Sequence, residues 1–427
     1  MDRARTAAIK VVFEVNERGA YSNVALSKIL RTEKLSDIDR RFCTELVYGT
    51  VKAGVSIDWI ISKYINRPLK KIDPKVAAIL RVGIYQIFFL DRVPNSAAVN
   101  ESVEIAKKIN IGSGKFVNAV LRSAVREPNK AIFPTGDTSE AIALSMFHPQ
   151  WLVERWIEQF GIEQTKAICA ADNKEPPLVL RVNILRSSRI EILADLQKQG
   201  IDVVPSTLTE EGIVCSAVGS LDNLDVLQKG LCQVQDESSM LVAHELAPQP
   251  GEFVIDCCAA PGGKTTHIAE LMKNSGHILA IDIHEHKIKQ IKSNAARLGI
   301  KIIEPFLLDA RKIGDEFAGR ADRILVGAPC SGLGVLRRKA DLRWKKMPNE
   351  LKELPLLQSE ILNSAAQALK SGGTLVYSTC TLEREENEGV IEKFINSHGN
   401  FTLENKKTLL PHVDGTDGFF IAKLKKV

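Results

Sequence analysis

The sequence predicts a multidomain chain: an all-α amino-terminal domain over 1–140, a small α+β domain over 141–234, and an α/β domain on a parallel sheet over 235–427. Three observations predict it. At 427 residues the chain exceeds what one hydrophobic core supports. Apolar residues recur at helical spacing through roughly the first 130 positions. From Gln235 onward, short apolar strands and helical stretches alternate at the spacing of βαβ units.

The bulk composition, 44% apolar and 26% charged, is that of a soluble globular protein. No run of 18 or more apolar residues occurs, so no membrane span is expected. Met1-Asp2-Arg3-Ala4-Arg5-Thr6 leads straight into an amphipathic helix without the apolar centre of a signal peptide. The eight cysteines have no framework spacing and no Cys-x-x-Cys pair, which predicts free thiols, no metal and a cytoplasmic setting. Net charge is +5, unevenly spread: residues 1–130 hold 23 Lys+Arg against 13 Asp+Glu, leaving −5 for the rest. A basic module joined to a near-neutral body points to a polyanionic partner.

In the amino-terminal domain Ile38, Phe42 and Leu46 recur every four residues, with Val47 and Val51 widening the stripe. Asp73-Pro74 reads as an N-cap and first-turn proline opening a helix to about Leu90. That helix is apolar nearly all round and should be central. Further helices are expected near Ala97–Ile109 and Lys115–Val125, and a linker near 127–145. A helix Trp151–Phe160, a strand near Leu178–Val182, a helix Ile190–Gln199 and short strands near 202–204 and 213–216 compose the α+β segment.

The α/β domain opens with a buried strand, Glu252–Asp256, followed by the loop Cys257-Cys258-Ala259-Ala260-Pro261-Gly262-Gly263-Lys264 and a helix over Thr265–Lys273. Small residues let backbone approach a ligand, and a helix start offers free N–H groups. A triphosphate P-loop needs glycine five positions before Gly263, where Cys258 stands, so that reading fails. The next strand ends at Asp282, suited to ribose hydroxyls, and a third ends at Asp309, suited to an adenine edge. The dehydrogenase fingerprint is absent. A nucleoside methyl donor, S-adenosyl-L-methionine, needs only to be positioned against a nucleophile.

Two cysteines follow two further apolar strands: Cys330 in Ala328-Pro329-Cys330-Ser331-Gly332, and Cys380 in Tyr377-Ser378-Thr379-Cys380-Thr381. Ligands of open parallel sheets bind beyond the carboxyl ends of the strands, so both thiols are delivered to a reactive edge. Directly after the first lies the basic run Arg337–Lys346, whose Trp344 is placed to stack on a base.

These motifs resemble the RNA cytosine-C5 methyltransferases. Arg41-Phe42-Cys43-Thr44-Glu45-Leu46-Val47-Tyr48-Gly49-Thr50 and Asn118-Ala119-Val120-Leu121-Arg122 resemble a NusB-like domain. With Gln235-Asp236-Glu237-Ser238-Ser239 and the tail Asp417–Ala422, the whole chain is similar to the RsmB (Sun/Fmu) family of 16S rRNA methyltransferases. The resemblance implies a NusB-like RNA-binding domain and a Rossmann-like methyltransferase domain using S-adenosyl-L-methionine. It implies methylation at the family's target, cytosine 967, through a covalent cysteine–C6 adduct. Cys380 becomes the nucleophile and Cys330 its helper; Cys258, Ala259, Ala260, Pro261, Gly262, Gly263, Lys264, Asp282, Asp309 and Gly327 line the cofactor. The expected partner is 16S rRNA or a small-subunit assembly intermediate, with no membrane and no metal, met by a monomer.

One position departs from the family. Aspartate normally precedes Ala-Pro-Cys; Gly327 stands there in this chain. A glycine offers only backbone, so either activity falls or another acid such as Glu383 substitutes. Two alternatives follow: a catalytically weakened rRNA-binding assembly factor, and a tRNA methyltransferase, against which the NusB-like domain argues.

Overall fold

The computed structural model describes residues 2–216, 221 and 224–427. The chain forms two compact units: Met1–Lys174 together with Leu336–Lys346, and Glu175–Val335 together with Met347–Val427.

The first unit is helical. Its central helix, Pro74–Phe89, starts at Asp73, whose carboxylate accepts from the amides of Lys75 and Val76, and its residues from Val76 to Gln86 are buried apart from Arg81. In Asp37–Lys52 the buried stripe is Cys43, Leu46, Val47, Thr50 and Val51. Ile38, expected on that stripe, is 79% exposed: it lies in the first turn beside the Ser36 cap, on the outer face. Ser139–Ser145, Gln150–Phe160 and Ile162–Asn173 also belong to this compact unit. One reason is local: Ser56 Oγ donates to the Leu144 carbonyl at 2.7 Å in a buried contact. Among the described residues no helix is long and apolar enough to cross a membrane.

The second unit carries two sheets. The small one comprises β1 (Leu178–Val182), β2 (Asp202–Pro205), β3 (Gly212–Ser216) and β4 (Cys232–Val234), in the order β2-β3-β1-β4, all antiparallel. The large one comprises β5 (Phe253–Asp256), β6 (His277–Asp282), β7 (Ile303–Leu307), β8 (Ala321–Gly327), β9 (Leu369–Thr379), β10 (Phe401–Leu409) and β11 (Phe419–Lys426). Its order is β10-β11-β9-β8-β5-β6-β7, with β7 to β9 parallel and the last two strands antiparallel. Alternation along each strand divides the core. Ile255, Ile324, Val326, Leu375 and Tyr377 pack with Ile361 and Leu362 on one face. Val254, Leu325, Val376 and Ile421 pack with Val242, Leu246 and Ile268 on the other. The chain runs outward from β5 through β6 to β7, then returns to β8 on the opposite side of β5. The crevice beyond β5 and β8 is therefore the topological switch point, where ligands of such sheets bind.

Candidate active site

The register at this crevice brings the expected residues to one edge. Asp256 pairs with Leu325, two residues before the end of β8, and Gly327 pairs with Ser378 near the end of β9. The Cys258–Lys264 loop, Asp282, Asp309, Gly327, Cys330 and Cys380 all follow or end strands of the parallel sheet on this side.

The loop after β5 is held by its own backbone and its neighbours. The Ala259 amide donates to the Ile281 carbonyl at 2.8 Å, Gly262 to Ala259 at 2.7 Å, and Asn294 Nδ2 to the Pro261 carbonyl at 2.8 Å. Gly262 caps the helix Gly263–Leu271 at φ +101, a left-handed conformation open to glycine, with the Ile291 backbone in van der Waals reach of where a Cβ would stand. At Gly263 a Cβ would meet nothing closer than Gln235 Oε1 at 4.0 Å, so the loop bounds open space beside a helix start. Arg181, fully buried in the middle of β1, donates to the Gly263 carbonyl at 2.7 Å and to both oxygens of Glu270, and also reaches Gln235 and Thr266. It fastens the first turn of this helix from behind.

Burial dominates the local acid–base chemistry. Asp256, hydrogen-bonded by Thr265 Oγ1 at 2.7 Å, is pushed up to about 6 by desolvation, with Thr265 and Lys264 opposing. Burial also raises Cys258 to about 12 and holds Cys257 well above the ordinary thiol range, so both are neutral, inert thiols. Asp282 is buried, accepts from the His284 amide at 3.0 Å, and has Lys287 Nζ at 3.8 Å. Asp309 is half-buried and spends both oxygens on Arg311, whose hydrogen bonds hold its carboxyl below the usual range. An adenine at Asp309 would share it with that guanidinium.

The two cysteine loops are bound to each other. The Sγ atoms of Cys330 and Cys380 lie 3.4 Å apart. Ala328 N donates to Ser378 O and Gly334 N to Cys380 O, each at 3.0 Å. Buried Glu386 accepts from the Ser331 amide and from Gln358 Nε2, both at 2.9 Å, and Gln358 also reaches Pro329 O at 3.0 Å. Ser331 and Thr381 share a hydroxyl contact of 2.8 Å, and Asn387 Nδ2 donates to Thr381 O at 3.0 Å. The hydrogen bond with Cys380, then burial, hold the Cys330 thiol well above its ordinary range, so it keeps its proton. Glu386, Gln358, Asn387 and Arg181 were not among the expected residues. Only Arg181 left a sequence signal, a charge inside the apolar strand Leu178–Val182.

At Gly327 a Cβ would meet only Lys264 Nζ, at 4.0 Å. Glu383 is buried, with its amide 3.3 Å from Thr381 Oγ1. Trp344, expected as a stacking platform, belongs to the helical unit. Its indole N–H donates to the Val51 carbonyl at 2.7 Å, and Arg343 is fully buried, donating to Phe147 O and Asn173 Oδ1. Lys345 Nζ donates to Ala20 O at 2.8 Å and lies 3.8 Å over the Tyr21 ring. Much of this basic run is therefore anchored within the helical fold, because its long stems and ring pack better than they solvate.

Comparison with known proteins places the geometry. The family description 16S rRNA methyltransferase RsmB/F matches residues 243–425, the NusB family matches 2–126, and an RsmF/B-like ferredoxin-like domain matches 148–220. A Bacillus subtilis (strain 168) protein named Probable ribosomal RNA small subunit methyltransferase B is 41% identical over 99% of this chain and 98% of its own length. This chain belongs to the ribosomal RNA small subunit methyltransferase B family. The crystal structure of PH0851 matches with TM-score 0.87 at 30% identity, over 100% of this chain and 99% of that one. The structure of NSun6 from Pyrococcus horikoshii with SFG matches with TM-score 0.60 at 28% identity, over 65% of this chain and 98% of that one. Membership carries the coarse chemistry: methyl transfer from S-adenosyl-L-methionine to ribosomal RNA. The open space beside the Gly262–Gly263 turn and the buried carboxylate at the end of β6 fit that cofactor.

Proposed function

We propose that this family member methylates C5 of a cytosine in 16S rRNA, at the family's position 967, through a covalent bond between Cys380 and C6. The observation that carries this reading is the thiol pair at 3.4 Å, beyond β8 and β9 and beside the loop after β5. C5 of cytosine is a weak nucleophile. Attack by the Cys380 thiolate on C6 breaks the C5–C6 double bond and loads electron density onto C5. Cys330, neutral and hydrogen-bonded to Cys380, stabilises negative charge on its neighbour before attack. When bound, S-adenosyl-L-methionine supplies the electrophilic methyl that C5 takes up. Loss of the C5 proton to water then re-forms the double bond and expels Cys380 as a thiolate, which the Cys330 thiol stabilises by donating to it. Gly262, Gly263 and Lys264 would hold the cofactor's charged end at the helix start, and Asp282 its ribose. The target base must leave any stack to reach both thiols.

The test is methylation of undermodified small-subunit rRNA with labelled cofactor, followed by mapping of 5-methylcytosine. Label at that cytosine is expected. Absence of label on any cytosine, with Gly327→Asp protein as well, overturns the reading. Gly327 supports a second reading, an rRNA-binding assembly factor without turnover, distinguished by normal RNA affinity with catalysis only after Gly327→Asp.

A further inference from the structure

Behind the cofactor loop lies a group that the methyl-transfer chemistry does not use. Glu211 immediately precedes β3, His244 lies in the helix Glu237–Leu246, and His267 lies in the helix Gly263–Leu271. One ligand atom from each falls within 4.8 Å of the other two. Glu211 Oε1 is 2.9 Å from His244 Nε2 and 2.9 Å from His267 Nε2, and the two rings meet edge-on at 5.2 Å.

We propose that Glu211, His244 and His267 form a binding site for a divalent transition-metal ion of the zinc class. Two imidazoles and one carboxylate are the donor set of open zinc sites. Ligand atoms about a zinc ion at about 2.0–2.2 Å stand about 3–3.5 Å from one another, close to the 2.9 Å that separates Glu211 from each imidazole, and the third pair lies within 4.8 Å. The independent observation is His267. Its side chain is wholly buried, yet neither ring nitrogen has a well-directed hydrogen bond, and Glu211 is near without lying along the bonding direction of Nε2. A buried polar group in that state calls for an ion or a water. The nearby guanidinium of Arg181 does not oppose a cation with an unpaired charge, because Glu270 neutralises it at 2.8 Å. His244, with 37% of its side chain exposed, gives the ion a route from solvent. His267 lies three residues beyond Lys264 on the same helix. The metal is thus a structural clasp, joining the small sheet to the helix Glu237–Leu246 and to the helix that follows the loop after β5, and takes no part in methyl transfer.

The experiment uses the full chain, stripped with chelator, in a Cys330→Ser Cys380→Ser background so that the thiol pair cannot take the ion. The probes are Zn2+ and Co2+ alone. One Zn2+ per chain, a Zn2+-dependent rise in the unfolding midpoint, and visible Co2+ bands of low-coordinate geometry are expected. His244→Ala, chosen because that side chain is part-exposed and its loss spares the core, should weaken Zn2+ binding by about 10–100-fold or more while its metal-free circular dichroism matches the parent. Glu211→Gln should remove the Co2+ bands. Absence of Zn2+ binding by the parent, or binding unchanged in both variants, overturns the site and leaves a hydrogen-bonded His–Glu–His group.

Discussion

Cys330 and Cys380, fifty residues apart in the chain, bring their sulfur atoms to 3.4 Å. Neighbouring parallel strands deliver them there, and the braces through Glu386, Gln358 and Asn387 keep both loops in register. The arrangement separates two roles, since a protonated Cys330 can support charge on Cys380 before attack and again as that thiolate departs. Cys380→Ser should therefore abolish methylation. Cys330→Ser should still form the C6 bond but release product slowly, so that a protein–RNA species stable to denaturing detergent accumulates. Full activity in Cys380→Ser, scored by label on rRNA, would refute the assignment.

Gly327 has room for a carboxylate. It ends β8, its conformation lies outside the left-handed region, and its Cβ would face Lys264 Nζ at 4.0 Å. Aspartate there should pair with Lys264 and meet the boundary of cofactor and base. Methylation should rise by about 10²–10³, the scale of one preorganised electrostatic group. Gly327→Ala, which adds volume without charge, should bring no such gain; single-turnover rates compare the two.

Arg181 is the buried pin of the helix start after β5. Burial pushes Glu270 up to about 7 against the guanidinium's pull, so removing Arg181 leaves that carboxyl uncompensated. Arg181→Met should lower stability by about 3–5 kcal/mol and weaken cofactor binding. Arg181→Met with Glu270→Leu should recover much of the stability but not the cofactor affinity, because the Gly263 carbonyl stays unheld. Chemical denaturation and cofactor titration separate the two effects.

In the helical unit, burial pushes Asp172 up to about 7, with Arg343 opposing, and its carboxylate oxygens lack hydrogen-bond partners. The folded state then holds a proton that the unfolded chain, near 3.8, has lost. Stability contributed by this group is complete below about 3.8 and is lost as pH rises to about 7. Asp172→Asn should flatten that part of the pH–stability profile, measured by denaturant midpoints; an unchanged slope would remove Asp172 as its source.

Trp344→Phe should cost about 1 kcal/mol, from the lost hydrogen bond to Val51, with RNA affinity unchanged. A loss of RNA affinity at equal stability would restore a base-stacking role to Trp344.

Sequence alone determined a good deal here. Strand–loop–helix spacing and small residues around Gly262 announced a tight loop before a helix, and the apolar runs before Cys330 and Cys380 announced two thiols at a sheet edge. These are local signals, written within a dozen residues. The helix Pro74–Phe89 was legible for the same reason, from Asp73-Pro74 and an unbroken apolar run. What lies between distant segments was decided only by tertiary structure. Ile38 faces outward because neighbouring helices, not its own spacing, choose the buried side of Asp37–Lys52. Trp344 turned from a presumed base platform into an anchor because Val51, nearly three hundred residues earlier, offers its carbonyl. Arg181, on a strand, acquired its partners from a helix some eighty residues later. Glu211, His244 and His267 share no motif at all; only the fold, which brings the residue before β3 beside two helices, gathers their ligand atoms. Hydrophobic periodicity encodes which face of an element is buried, whereas the identity of the polar group across the contact depends on long-range packing, and that is where the chemistry of this protein was hidden.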